Sequence, residues 1–95
     1  MSGGGPAPVE VVLYGADDCS LCETAKATLR AARDALGYSF EEVDIGGVDE
    51  LEARYRPEIP VVEIDGVRAF ALYVPRPELE RWVAAAQARR SAARS

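Results

Sequence analysis

The sequence contains no histidine and only two cysteines among its 95 residues. Histidine is the commonest general base of enzymes and the commonest metal ligand. The sequence therefore excludes both a histidine base and a metal site built on histidine. Two cysteines are too few for a disulfide-stabilised scaffold. No apolar run approaches the ~20 residues that a membrane-spanning helix needs. The chemistry must come from other residue types, and the two cysteines are the first candidates.

Acidic residues outnumber basic ones, and the net charge of −5 argues against a nucleic-acid partner. The segment 87–95 is rich in arginine, and we interpret it as a basic C-terminal tail that is solvated or stabilises a helix end. The segment 1–8 lacks the basic and apolar stretches of a signal peptide, so we interpret it as a flexible N-terminal segment. We therefore expect one cytoplasmic domain over residues 9–86 that binds neither nucleic acid nor membranes.

The first half of the chain carries a strand and a well-defined helix. Residues 9–14 form a mostly apolar, β-rich run, which predicts a central strand. Residues 19–36 have apolar side chains at three- and four-residue steps, which predicts an amphipathic helix. Asp17 or Asp18 is the expected N-terminal cap of this helix, and Gly37 is its expected left-handed stop.

The second half supplies the remaining elements. Alternating apolar residues predict a second strand over 39–45, and a short helix follows over 48–55 with Asp49 as its cap. The pair Asp65-Gly66 lies between two apolar runs and favours the positive φ angles of a tight turn, so it predicts a hairpin. Pro77 fits the first turn of a final helix.

The resulting order, β-α-β-α-β-β-α, predicts an α/β fold. The first two strands flank a helical crossover and should be parallel, whereas the last two form an antiparallel hairpin. The compact arrangement is a four-stranded mixed sheet flanked by helices on both faces. Cys19 and Cys22 lie where the first strand turns into the first helix, which is typical of a thioredoxin-like redox motif.

The position of the two cysteines predicts thiol–disulfide exchange. Only a thiolate attacks a disulfide. Cys19 stands at the start of a helix, where unpaired N–H groups and the helix dipole favour the anion. Cys22 lies about one turn further in and can attack the Cys19 sulfur of a mixed disulfide, which releases the substrate. We therefore predict a thiol–disulfide oxidoreductase in which Cys19 is the nucleophile and Cys22 the resolving thiol.

Other uses of the cysteines stay open. A structural disulfide would stabilise the fold little, because so small a loop hardly restricts the unfolded chain. A zinc site within one chain would lack two of its four ligands. A zinc or iron–sulfur site shared between two chains is an alternative, as is a pair of buried, unreactive thiols. The domain would then be a binding or adaptor module, or a metal or cluster carrier, without redox turnover.

Three motifs resemble those of the thioredoxin-fold superfamily, and within it those of small bacterial glutaredoxin-like proteins. They are the strand–loop–CxxC–helix opening over 13–22, the strand 42–45, and the proline followed by a hairpin over 59–66. The resemblance covers residues 9–83 and implies a thioredoxin-like fold. It also implies exchange with protein or small-molecule disulfides and re-reduction by a cellular thiol.

The resemblance further implies a substrate site beside the dithiol. The peptide bond between Ile59 and Pro60 is expected to be cis and to pack next to the cysteines. The backbone of Ile59 would then be free to pair with an extended substrate segment. Tyr14 is close enough to Cys19 in sequence to contact substrates, and Arg56 is a candidate ligand for the glycine carboxylate of glutathione.

Two departures from the family pattern concern glutathione. Relatives carry a basic residue before the first cysteine, where this chain has Ala16 and then two aspartates whose charges oppose a thiolate at Cys19. Lys26 is the one nearby cation that the sequence indicates. The Gly-Gly-x-Asp element that holds the γ-glutamyl end is absent from residues 72–78. We therefore expect no bound cofactor, with glutathione as a candidate reductant whose usual binding motif is incomplete.

Overall fold

Residues 7–94, which the computed structural model describes, form four strands and three helices in the predicted order. Most of the predicted N-terminal segment, residues 1–6, lies outside the described residues. The strands are β1 (Glu10–Gly15), β2 (Ser39–Asp44), β3 (Val61–Ile64) and β4 (Val67–Ala71). The helices are α1 (Ser20–Leu36), α2 (Asp49–Tyr55) and α3 (Arg76–Arg94), and a 3₁₀ turn, Arg56–Glu58, leads from α2 towards β3.

The strands pair in the order β2-β1-β3-β4. Strand β1 is parallel to β2, because α1 crosses over between them, and it is antiparallel to β3. Strands β3 and β4 form the predicted antiparallel hairpin. The predicted α/β fold with a four-stranded mixed sheet is therefore confirmed, and the cysteines follow a central strand.

Two apolar clusters of the described residues cover the sheet. The larger one packs α1 and α3 against the sheet through side chains such as Leu13, Leu29 and Leu79, each at most 2% exposed. The smaller one contains Cys22 and Tyr55. Successive side chains of a strand point to opposite faces, so β1 contributes to both clusters. The dithiol is therefore supported by a core of its own.

Local interactions define both ends of α1. Cys19 is the N-terminal cap, since its backbone is extended and its Sγ accepts a hydrogen bond from the Cys22 N–H at 3.1 Å. The prediction that Asp17 or Asp18 caps this helix is wrong, because the sulfur occupies the place that a capping oxygen would take. Gly37 ends the helix as predicted, with φ at 77° and its N–H donated back to the last turn.

Helix α2 begins one residue later than predicted. Val48 occupies the cap position with extended backbone and makes no side-chain capping bond. The prediction that Asp49 is the cap is therefore wrong. Asp49 is instead the first helical residue, where its carboxylate interacts favourably with the positive end of the helix dipole.

The hairpin turn and the C-terminal helix are joined by an ion pair. Asp65 and Gly66 have φ angles of 50° and 82°, as the tight turn requires. The Asp65 carboxylate accepts two hydrogen bonds from Arg90, at 2.6 and 2.9 Å, and one from the Glu10 N–H. The segment predicted as a basic tail, 87–95, is helical up to Arg94 and continues α3. None of the helices of residues 7–94 has both the length and the apolar character needed to cross a membrane.

Replacing Asp65 with asparagine should destabilise the fold at neutral pH. Asparagine still tolerates a positive φ angle, but it loses the charge that Arg90 binds. The Arg90 guanidinium and the Glu10 N–H lower the pKa of Asp65 from its ordinary value of 3.8. We expect Asp65→Asn to reduce the free energy of unfolding by about 1 kcal/mol at neutral pH, measured by urea denaturation.

The same comparison has a defined pH dependence. A carboxyl group with a lowered pKa stabilises the fold fully above its unfolded pKa, and this contribution is lost as the pH falls through the folded pKa. The difference between wild type and Asp65→Asn should therefore shrink as the pH falls below 3.8, the ordinary pKa of this carboxyl group. If Asp65→Asn lowers the free energy of unfolding equally at neutral and acidic pH, ionisation of Asp65 is not the source of the lost stability.

Candidate active site

The two cysteines form a disulfide at the carboxyl end of β1, with their Cα atoms 5.2 Å apart. The loop 16–18 carries the chain from the strand to α1. Cys22 is only 2% exposed and packs in the smaller core, whereas Cys19 is partly exposed. Cys19 is therefore the thiol that a substrate can reach, as an attacking nucleophile requires.

The first turn of α1 is suited to stabilise a thiolate at Cys19. The Cys22 N–H already points at the Cys19 sulfur, 3.1 Å away. The N–H groups of a first helical turn have no partner within the helix, and the dipole places partial positive charge there. Reduction of the disulfide would leave an anion at Cys19 in contact with this N–H group.

Cys22 lies directly against the end of β1. A Cβ atom on Gly15 would be 3.2 Å from the Cys22 Sγ and 3.3 Å from its Cβ, tighter than side chains normally pack. Glycine at this position therefore makes room for the Cys22 sulfur.

A cavity of about 240 Å³ opens beside Cys22. Three carboxylates and one ammonium group contribute to it, and its lining residues are Leu13, Gly15, Ala16, Asp17, Cys22, Lys26, Glu42, Val43 and Asp44. The Lys26 ammonium lies 3.3 Å from a Glu23 carboxylate oxygen and 4.0 Å from one of Glu42. Negative charge therefore predominates on this side of the disulfide.

The proline segment lies in the same core as the cysteines. The peptide bond between Ile59 and Pro60 is cis. Ile59 is 8% exposed and packs in the cluster that contains Cys22, and Pro60 is fully buried. The Pro60 carbonyl accepts a hydrogen bond from the Leu72 N–H at 2.8 Å, which ties the loop after β4 to this segment. The fold thus brings together Ile59, Pro60 and the dithiol, and their contact with substrate stays a prediction.

Tyr14 is held by two neighbours that are distant in sequence. Its ring stacks on that of Tyr55 with centroids 4.2 Å apart, and both hydroxyls donate to the Glu63 carboxylate, at 3.4 and 2.9 Å. Burial and the bond to Glu63 raise the pKa of Tyr55 to about 12, so this hydroxyl stays a donor at neutral pH. Both rings pack in the cluster around Cys22. Tyr14 thus reaches the dithiol region, and a contact with substrate is again a prediction.

Glu63 was missed by the sequence reasoning. The only signal was a carboxylate within the otherwise apolar strand 61–64, which by itself does not reveal its partners. In the structure Glu63 links β3 to both β1 and α2, because it accepts hydrogen bonds from the two tyrosine hydroxyls.

Arg56 is bound on two sides. Its Nε and Nη2 donate to the two carboxylate oxygens of Glu52, at 2.7 and 2.9 Å, and its Nη1 donates to Asp18 at 3.2 Å. Its bonds to Glu52 and then to Asp18 raise the pKa of Arg56, and the bond to Arg56 lowers that of Glu52. Asp18 precedes Cys19, so Arg56 is a second cation at the dithiol loop besides Lys26. Sequence reasoning missed this pairing because the partners lie 38 residues apart.

The sequence profile of the glutaredoxin-like domain (DUF836) matches residues 10–87. The chain belongs to this family. Protein XcR50 from X. campestris has 32% sequence identity to it and a TM-score of 0.67, and the match covers 79% of this chain and 96% of that one. Protein Ne2328 from Nitrosomonas europaea has 21% identity and a TM-score of 0.70, with 86% and 99% covered. No curated protein matches the chain.

A mutant thioredoxin from Halobacterium salinarum is also similar in structure to this glutaredoxin-like domain. It has 14% identity and a TM-score of 0.64, and the match covers 83% of this chain and 74% of the thioredoxin. The predicted thioredoxin-like fold and glutaredoxin-like family are therefore confirmed. A glutaredoxin-like domain with Cys19 and Cys22 in disulfide contact supports a role in thiol redox chemistry.

Gly15→Ala should slow the reaction of Cys22 more than that of Cys19. The added Cβ forces the Cys22 sulfur to move by a few tenths of an ångström, away from its line of attack. We expect closure of the Cys19–Cys22 disulfide from a mixed disulfide to slow about threefold to tenfold, measured by quenched-flow mass spectrometry. Alkylation of reduced Cys19 by iodoacetamide serves as the internal control. Equal slowing of both reactions would indicate general distortion of the site.

Proposed function

We propose that this glutaredoxin-like domain is a thiol–disulfide oxidoreductase in which Cys19 is the nucleophile and Cys22 the resolving thiol. The observation that carries this proposal is the difference in exposure between the two cysteines of the disulfide. Cys19 is accessible and caps α1 with its sulfur, whereas Cys22 is buried one turn further in. Such an arrangement separates an attacking thiol from one that reacts only within the protein.

The reaction proceeds in two exchanges. The Cys19 thiolate attacks a sulfur of the substrate disulfide, which forms a mixed disulfide and expels the other half of the substrate as a thiolate. Cys22 then loses its proton and attacks the Cys19 sulfur, so that the Cys19–Cys22 disulfide forms and the second half of the substrate leaves as a thiolate. The two substrate thiolates take up protons, and two electrons have passed from the dithiol to the substrate.

The proline segment would position the substrate. An extended chain that carries the target disulfide can pair with the backbone of Ile59, as an added strand pairs with a sheet edge. Pro60 has no N–H group that would compete for such a bond. Tyr14, which packs in the same cluster, would line this site on the β1 side.

The proposed partners are protein or small-molecule disulfides, together with a cellular thiol that re-reduces the dithiol. The two sulfurs carry the electrons themselves, so the cycle uses no bound cofactor. Glutathione is a candidate reductant whose usual binding motif is incomplete, and its glycine carboxylate would reach the proposed ligand Arg56 only by displacing Asp18. We place the protein in the cytoplasm, where thiols are kept reduced between turnovers, and propose no nucleic-acid or membrane contact.

A second candidate is a binding or adaptor module, or a carrier of zinc or an iron–sulfur cluster held between two chains. The carboxylates before Cys19 and the missing γ-glutamyl element favour it. No three metal-ligating side chains of residues 7–94 are grouped, so such a site would take cysteines from two chains. Stoichiometric metal in anaerobically purified protein, lost on mutation of either cysteine, would support the carrier. A metal-free monomer that exchanges disulfides would count against it.

Cys22→Ser should trap the first intermediate. Without the resolving thiol, the mixed disulfide on Cys19 persists and is detected as an adduct by intact-mass spectrometry after incubation with 2-hydroxyethyl disulfide. Cys19→Ser is the matched control, and it should form little adduct because Cys22 is buried. If Cys22→Ser forms no adduct while an unfolded control peptide does, Cys19 is not the proposed nucleophile.

A further inference from the structure

We propose that Asp18 is a specificity determinant that occupies Arg56 and thereby excludes the carboxylates of small anionic thiols. The dithiol would then react preferentially with disulfides that have no carboxylate close to their sulfurs. This assignment of a substrate class rests on the proposed function, since it concerns which disulfides Cys19 attacks.

The Arg56 guanidinium is shared between two carboxylates, Glu52 and Asp18. Glu52 binds it through two parallel hydrogen bonds, the strong geometry of an arginine–carboxylate pair, and so holds the group in place. Asp18 takes the Nη1 group. The Asp18 side chain is 81% exposed, whereas that of Glu52 is 32% exposed, so Asp18 makes the contact on the open side.

The position of this contact also supports the proposal. Asp18 is the residue before Cys19, so the edge of Arg56 that it occupies lies at the loop from which the nucleophile attacks. A carboxylate carried near the attacked sulfur would have to displace Asp18 to reach Arg56. Asp18 is held next to Arg56 by the chain itself, so a substrate carboxylate has to compete with a partner that is always present.

The surroundings act in the same direction. The cavity beside Cys22 includes Asp17 and Asp44, whose charges repel anions. The Glu42 carboxylate in the same lining is paired with Arg30, and the Lys26 ammonium is paired with Glu23. On the other side, the loop after β4 is bonded to Pro60 and presents two exposed apolar side chains, Leu72 at 40% and Tyr73 at 65%. A neutral, partly apolar substrate segment therefore suits this site better than a small dianion.

The test compares an anionic and a neutral substrate. Reduced wild type and Asp18→Asn are oxidised with glutathione disulfide or with 2-hydroxyethyl disulfide, and the ratio of the two second-order rate constants is measured. Asparagine keeps the size of the side chain but no longer competes as a carboxylate. We expect the ratio to shift towards glutathione disulfide by about twofold to fivefold in Asp18→Asn, as expected for one solvent-exposed ion pair.

Two variants show whether the shift in the rate ratio comes from freeing Arg56 or only from removing a negative charge near Cys19. Asp17→Asn removes the same charge one residue earlier and leaves the Arg56 contacts in place. Arg56→Gln combined with Asp18→Asn removes the group that would bind the carboxylate. The proposal predicts that the rate ratio shifts clearly less in both of these variants than in Asp18→Asn. An equal shift in Asp17→Asn, or a shift that survives in the double variant, would overturn it.

A binding measurement keeps this inference distinct from the proposed function. S-methylglutathione carries the same carboxylates but cannot exchange, and its affinity for the oxidised protein is measured by NMR titration. We expect Asp18→Asn to bind it several-fold more tightly than wild type and the double variant to lose this gain. Absence of the gain overturns the inference even if 2-hydroxyethyl disulfide is exchanged. Failure to exchange either disulfide contradicts the proposed function, while the titration still decides the inference.

Discussion

The interaction on which the site depends is the contact between the Cys19 sulfur and the first turn of α1. A helix start needs an acceptor for its unpaired N–H groups, and here the Cys19 sulfur takes the place that a capping hydroxyl or carboxylate usually fills. The same contact that begins the helix therefore favours the thiolate. It also orients the helix so that Cys22 is directed inwards against Gly15, where only 2% of the residue is exposed.

Three separate stretches of the chain meet around this helix start. The loop after β1 leads to Cys19, the 3₁₀ turn carries Arg56, and the segment before β3 carries Ile59 and Pro60. Their alignment relies on the stacked rings of Tyr14 and Tyr55, which share Glu63 as their acceptor. Half-buried polar groups of this kind must be paired to be tolerated, so they select one arrangement of α2 against the sheet. Tyr55 and Glu63, which have no part in the proposed reaction, thus help to define the geometry of the site.

The charges before Cys19 illustrate how tertiary contacts change the meaning of a sequence motif. Asp17 and Asp18 are adjacent and chemically identical, and from sequence both oppose the thiolate equally. In the folded chain Asp18 is bound by Arg56, whereas the contacts of residues 7–94 include no ion pair of Asp17. One carboxylate therefore has an ionic partner, and the other has none among the described residues. The electrostatics of the dithiol loop depend on a partner 38 residues away.

Short-range periodicity and turn chemistry were enough to predict the element order, the Gly37 stop, the Asp65-Gly66 turn and the place of the cysteines. The mixed sheet followed from that order, because a helical crossover makes strands parallel and a hairpin makes them antiparallel. The caps at Asp17 or Asp18 and at Asp49 were predicted wrongly, since several neighbouring acceptors compete and local preference does not choose between them. The partners of Arg56, Glu63 and Arg90 depend on tertiary packing. These contacts join side chains that are remote in the chain, and their geometry exists only once the helices have packed on the sheet.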